Sequence, residues 1–169
     1  MHKVFISYYH HDDQFYKNYI DQHLSENIIN KSVRAGEYNS DNSDEYIKRL
    51  IREEKVSDAS VVVVLIGPNT RKRKHVDWEI SAGLNKSVNG CSGLVGILLP
   101  ELPMIGSEYR PSDMPGRILD NYYSGYAKLY SWYTAIHNFD DIIEQAFNDR
   151  IALKDKVNNS RPQMQLNLE

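Results

Sequence analysis

Cysteine is nearly absent: Cys91 is the only one among 169 residues. An intrachain disulfide is therefore impossible, and a reducing compartment is the simplest home for the chain. Long hydrophobic runs are missing too. The longest, Val61–Ile66, is far too short for a bilayer span of about 20 apolar residues. Strand-like sequence begins after three residues, which leaves no room for a signal peptide. These absences lead to the expectation of a cytoplasmic protein with no membrane partner. Charge of one sign is not in excess. The formal net charge is −3, so no global field draws in nucleic acid or anionic lipid. Two glycine signatures are also missing. No strand is followed by the Gly-x-Gly-x-x-Gly pattern of redox dinucleotide domains. Gly67-Pro68-Asn69-Thr70 lacks the second glycine and the Lys-Ser/Thr pair of a P-loop.

What is present is an alternation of strand-like and helix-like segments at a length that suits one domain. Residues 4–8 are mostly apolar, as a central parallel strand is. Phe15, Tyr16, Tyr19, Ile20 and Leu24 recur at helical spacing and predict a helix over 12–25. Residues 28–33 hold a weaker second strand. Residues 34–42 are polar, contain Gly36 and read as a loop. Asn42 with Glu45 three residues on matches a capping box, and Tyr46, Ile47, Leu50 and Ile51 give the helix it opens one apolar face. Val61–Ile66 reads as a fully buried strand, ended by Gly67 and Pro68. Val76, Ile80, Leu84 and Val88 predict the next helix, and residues 89–93 a turn. Residues 94–99 form a strand stopped by Pro100. Residues 103–121 hold three of the six prolines and read as a long irregular connection. Residues 126–133 predict an edge strand. Asn138 is placed to cap a last helix with Phe139, Ile142, Ile143, Ala146, Phe147 and Ile151 inward. From Lys154 the periodicity is lost. The domain is set at 1–156, and 157–169 is expected to be a flexible tail.

Strands alternating with helices imply a parallel sheet with right-handed crossovers. Five strands fit a doubly wound α/β sheet of flavodoxin-like order 2-1-3-4-5, whose switch point lies between the first and third strands. Those strands exit at 7–10 and 67–70, so both exits flank one crevice if this order holds. The octapeptide Arg73-Lys74-His75-Val76-Asp77-Trp78-Glu79-Ile80 opens the helix beyond the third strand and puts Glu79 in its second turn. Glu79 lies about a hundred degrees off the Val76/Ile80/Leu84 stripe, with His75 one turn before it on the same side. It is expected at the edge of the buried face, partly desolvated and able to reach a ligand. The competing fate is that of most helix glutamates, plain exposure.

Other residues near the crevice carry two readings each. Tyr8 suits the core, while Tyr9 and His10 sit on the first-strand exit, where a ligand would meet them. His11-Asp12-Asp13 reads as a helix start. A metal site from these residues would need a second ligand cluster, which is missing, so no metal is expected. The basic run 71–74 reads as a solvated loop except for Lys74, which lies where a pyrophosphate meets a helix N-terminus. The run is too short, in too acidic a chain, to mark a nucleic-acid surface.

Phe5-Ile6-Ser7-Tyr8 resembles the Phe-Ile-Ser-Tyr run of Toll/interleukin-1 receptor (TIR) domains. Glu79 falls at the position of the glutamate of NAD-cleaving TIR domains. A tryptophan four residues earlier is common in that family; here His75 stands there and Trp78 is adjacent to the glutamate, as in the Thoeris-type branch. The chain thus resembles the TIR-like proteins of bacterial Thoeris anti-phage systems, in element order over residues 3–150. The resemblance implies a TIR fold and NAD as substrate, with no prosthetic group. It implies Glu79 as catalytic carboxylate, with Ser7, Tyr9, His10, Lys74 and His75 as nucleotide contacts. It further implies cleavage of the nicotinamide–ribosyl bond on a phage-derived trigger. The product would be a cyclic ADP-ribose isomer or another ADP-ribose derivative, acting on a separate effector. In TIR domains the loop matching 34–42 mediates self-association and gates the pocket. A non-enzymatic TIR adaptor and a mononucleotide-binding regulator are the rival readings.

Overall fold

The computed structural model describes residues 1–85 and 90–169; the expectations for Val88 and Asn89 lie outside them. Five parallel strands form one sheet: β1 (His2–Ser7), β2 (Ile28–Lys31), β3 (Val61–Ile66), β4 (Gly93–Leu98) and β5 (Lys128–Ser131). Their order is β2-β1-β3-β4-β5, as expected. Val4 pairs with Asn30 on one side and Val61 on the other, and Val61 pairs in turn with Gly93. Every residue of β3 is buried, because strands cover both its edges and helices both its faces.

Among the described residues six α-helices cover the sheet: α1 (His10–His23), α2 (Asp44–Leu50), α3 (Lys74–Leu84), α4 (Gly116–Ser124), α5 (Trp132–His137) and α6 (Phe139–Ala152). Side chains alternate across a strand, so each strand feeds two cores. Val4, Ile6, Val61, Val63 and Leu65 meet Tyr16, Ile20, Ala135, Phe139 and Ile142 from α1, α5 and α6. Phe5, Val62, Val64 and Ile66 meet Ile47, Val76, Ile80 and Ile118 from α2, α3 and α4. Full burial of one such aliphatic side chain is worth roughly 1.5–3 kcal/mol, so these two layers are the main source of stability. At Gly93 a Cβ would collide with the carbonyl of Ala146; the absent side chain lets α6 press onto β4.

Several local expectations are corrected. α1 begins two residues before the expected start and is turned so that Asp13 and Lys17 face inward, while Phe15 is 70% exposed. Ser43, not Asn42, caps α2: its Oγ accepts from the Tyr46 N–H at 3.2 Å. The expected irregular stretch 103–121 holds a short antiparallel hairpin, Met104–Ile105 with Glu108–Tyr109, and most of α4. The inward residues of α4 are Arg117, Ile118 and Asn121, so no apolar period announces it. The expected edge strand 126–133 shortens to β5, because Ser131 caps α5 by accepting from the Thr134 N–H. Asn138 does occupy the N-cap position of α6, but its side chain donates to the Thr134 carbonyl, and Ile151 is exposed.

Residues of the expected tail make hydrogen bonds with the domain. Arg117 and Asp77 form a buried ion pair, Nε to Oδ1 at 2.8 Å, with side chains 0% and 6% exposed. The same guanidinium donates to the carbonyls of Arg161 and Pro162, and Asp77 accepts from the Met164 N–H. Residues 158–168 therefore run back across α4 and α3 through both main-chain and side-chain contacts. Among the described residues no helix is long and apolar enough to cross a membrane.

Candidate functional site

β1 and β3 are neighbours that leave the sheet in opposite directions, so their exits open one crevice at its C-terminal edge. The last residue of β1, Ser7, is buried and turned toward α3. Its Oγ donates to Glu79 Oε1 at 2.7 Å. The loop 34–42 supplies a second donor. It turns at Gly36, whose φ of +84° lies where a side chain is strained. Two residues later Tyr38 dips inward, and its Oη donates to Glu79 Oε2 at 2.7 Å. Glu79 is 4% exposed. Burial pushes its carboxyl up from 4.5 to about 7, against the pull of these two donors. Near neutral pH it is poised between acid and carboxylate.

A crevice of about 470 Å³ lies above this carboxyl, bounded by Tyr9, His10, Tyr38, Arg73 and His75. Burial, with the cations of Lys74 and Arg73, holds the His75 imidazole down to about 4. Burial also lowers His10. Both rings are therefore neutral at neutral pH. The His75 ring stands edge-on to Tyr38 at 4.9 Å and tilted to Trp78 at 5.3 Å. The Arg73 guanidinium lies 4.5 Å from the centre of the Tyr9 ring, a cation–π contact that fixes a positive charge at the rim. A second cleft of about 590 Å³ runs beside β2, with Lys17, Lys31, Arg34 and Lys55 among its walls; it meets the crevice at Tyr8 and Ala35. Among the described residues no three His, Cys, Asp or Glu side chains converge on a metal position.

Ser7, Tyr9, His10, His75 and Glu79 thus come together as one site. Lys74 does not join them: its Nζ pairs with Asp44 at 3.1 Å and lies over the Trp78 ring. The cation at the rim is Arg73, one residue earlier, in the run that reads as a solvated loop in the sequence. Glu79 is more deeply buried than its helical phase implies, because Tyr38 covers it. Tyr38 is not among the site residues that the sequence singles out. Its signal was its being the one aromatic residue in an otherwise polar loop, two places after a glycine. Trp78, 1% exposed and donating from Nε1 to the Met164 carbonyl at 2.8 Å, belongs to the core and not to the crevice.

A parallel sheet of this order, with a buried carboxylate on the helix after β3 facing the switch point, is the architecture of a TIR-like domain. Residues 5–103, more than half of the chain, match the family model of the Thoeris protein ThsB, TIR-like domain, and the chain belongs to that family. The matched stretch contains every residue that bounds the crevice. No curated protein matches the chain.

Proposed function

We propose that this chain is an enzyme of anti-phage defence that consumes NAD, breaking the nicotinamide–ribosyl bond and releasing an ADP-ribose-derived signal. Membership of the Thoeris family supports the defence role. The observation that carries the chemistry is the Glu79 carboxyl, buried beneath the crevice and held by Ser7 and Tyr38. In the reaction the C–N bond breaks with its electron pair leaving on the pyridinium nitrogen. Nicotinamide departs neutral, so no general acid is needed. Positive charge develops on the ribose, as in glycosidase transition states, and the Glu79 carboxylate stabilises it from a water-poor position. Neutral His10 and His75 add no charge to repel the pyridinium. Tyr38 must first give way, and a ribose hydroxyl takes its place on Oε2. The ADP-ribosyl cation is then captured by water, which gives up a proton to the Glu79 carboxylate or to solvent, or by a nucleophile of its own adenine, which takes up the positive charge, and the product acts on a separate effector in the cytoplasm.

Two predictions follow from this division of labour. Arg73 meets the diphosphate by a charge-assisted contact, worth about 1.5–3 kcal/mol. Arg73→Ala should therefore raise the KM for NAD by at least about tenfold with little change in kcat; steady-state kinetics that show the reverse split remove Arg73 from binding. The reactive form of Glu79 is the carboxylate. From its value of about 7, kcat/KM should rise with an apparent pKa near 7 and fall about tenfold per pH unit on the acid side. A flat profile between pH 5.5 and 8 would mean that another group limits the step.

The direct test is to incubate the purified chain with NAD, with and without phage-infected lysate, and to follow nicotinamide by chromatography. Release above that of lysate alone supports the proposal. One observation favours a second reading, a non-enzymatic assembly module: both Glu79 oxygens are engaged and the residue is 4% exposed. In that reading the carboxyl clamps the loop 34–42 for self-association. Tyr38→Phe would then change oligomeric state, NAD would stay intact under every trigger, and protection would still be seen with the parent chain.

A further inference from the structure

We infer that residues 158–168 are a strap that positions α3, with Asn167 as the cap of that helix, so that the placement of Glu79 depends on a segment outside the matched family region. This rests on the proposal that Glu79 acts in NAD cleavage. The helix α3 does not cap itself: Arg73, at its N-cap position, makes no side-chain cap hydrogen bond. The Lys74 N–H is one of the four orphan donors every helix start leaves. It is satisfied from 93 residues away, by Asn167 Oδ1 at 2.9 Å. The strap then continues along the helix. Asp77 accepts from the Met164 N–H at 2.8 Å, Trp78 Nε1 donates to the Met164 carbonyl at 2.8 Å, and the Ser81 carbonyl accepts from Asn159 Nδ2 at 3.1 Å.

The tied positions are 74, 77, 78 and 81, the spacing of a single helical stripe. Val76, Ile80 and Leu84 form a second stripe, packed against the sheet. His75 and Glu79 form a third, toward the crevice. Contacts to an apolar sheet face are non-directional and tolerate slip. The strap's hydrogen bonds are directional and fix the helix in rotation and along its axis. Glu79 adjoins Trp78 in sequence and meets Ser7 and Tyr38 at 2.7 Å each, so a small slip of α3 misplaces the carboxyl. Misplacement by about 1 Å can cost 10²-fold in rate.

Asn167 is exposed, so its substitution leaves the core untouched. Asn167→Ala is expected to lower kcat on the order of tenfold with KM unchanged, to speed hydrogen exchange at the Lys74 amide, and to hold the melting temperature within a few degrees. Asn167→Asp should restore both rate and protection, because its carboxylate accepts the same N–H at the positive end of the helix. A parent-like kcat in Asn167→Ala would overturn the inference, as would global unfolding of that variant or failure of Asn167→Asp to rescue. If the parent cleaves no NAD under any trigger, the NAD reading fails separately. The strap is then judged on the Glu79 carboxyl titrated by carbon NMR. Asn167→Ala should move that titration toward the ordinary carboxylate range and Asn167→Asp should return it; an unmoved titration overturns the strap's role.

Discussion

Glu79→Gln is expected to lower NAD cleavage by at least about 10²-fold, the usual cost of one preorganised electrostatic contact, while stabilising the fold above neutral pH. The variant keeps the side chain's shape and removes its charge. The sign of the stability change follows from the raised carboxyl. Glu79 titrates at about 7 in the folded chain against 4.5 when unperturbed. Between these values the folded state holds more protons than the unfolded one, so this group's contribution is fully present below 4.5 and is lost as pH rises through 7. The loss amounts to roughly 3 kcal/mol at most. Asp13, also raised to about 7 by burial, acts with the same sign, and His75, lowered to about 4, with the opposite one. Both are shared by parent and variant and cancel in the difference. Denaturant melts should therefore nearly coincide at pH 4, with the variant ahead at pH 8. A variant less stable than the parent at pH 8 would contradict the burial of a charged carboxylate.

Arg117→Met should cost about 3–5 kcal/mol, because it leaves the Asp77 charge buried without its partner. For a chain of this size the melting temperature would fall by on the order of 10 °C. The loss exceeds that of an ordinary surface pair because Arg117 also holds two carbonyls of the strap. Replacing both members, Asp77→Leu with Arg117→Met, should cost less than Arg117→Met alone, since no charge is then stranded. Urea unfolding of the two variants and the parent measures this coupling. A loss below about 1 kcal/mol for Arg117→Met would show that the pair does not hold α3, α4 and the strap together.

The sheet was legible in the sequence because its central strands are apolar on both faces. Val61–Ile66 admits few readings other than an interior parallel strand, and once β3 is central the crevice between its exit and that of β1 follows. What failed to show was held by polar groups. The helix α4 buries Arg117 and Asn121 beside Ile118, so hydrophobic periodicity passes over it. The strap is fixed through main-chain N–H and carbonyl groups that every residue possesses and through the polar side chains of Asn159, Arg161 and Asn167, so no apolar period marks it in the sequence. In α1 the inward places of Asp13 and Lys17 turn Phe15 outward. The site shows the same division. Ser7, His10 and Glu79 sit on elements whose phase or order the sequence reveals. The burial of Glu79 depends on Tyr38, brought in by a loop that no periodicity describes. Arg73 and Lys74 are adjacent cations, and only the position of Asp44, which takes Lys74 away, decides between them.

The most direct measurement uses NAD labelled separately in its nicotinamide ring and in the ribose beside it, added to phage-infected lysate containing the parent chain or Glu79→Gln. With the parent, the two labels are expected to part, one in free nicotinamide and the other in an ADP-ribose-derived product. With Glu79→Gln they should stay together, and plaque protection should be lost. Labels that remain joined with the parent while it still protects cells, or that part equally with both proteins, would contradict NAD cleavage by Glu79.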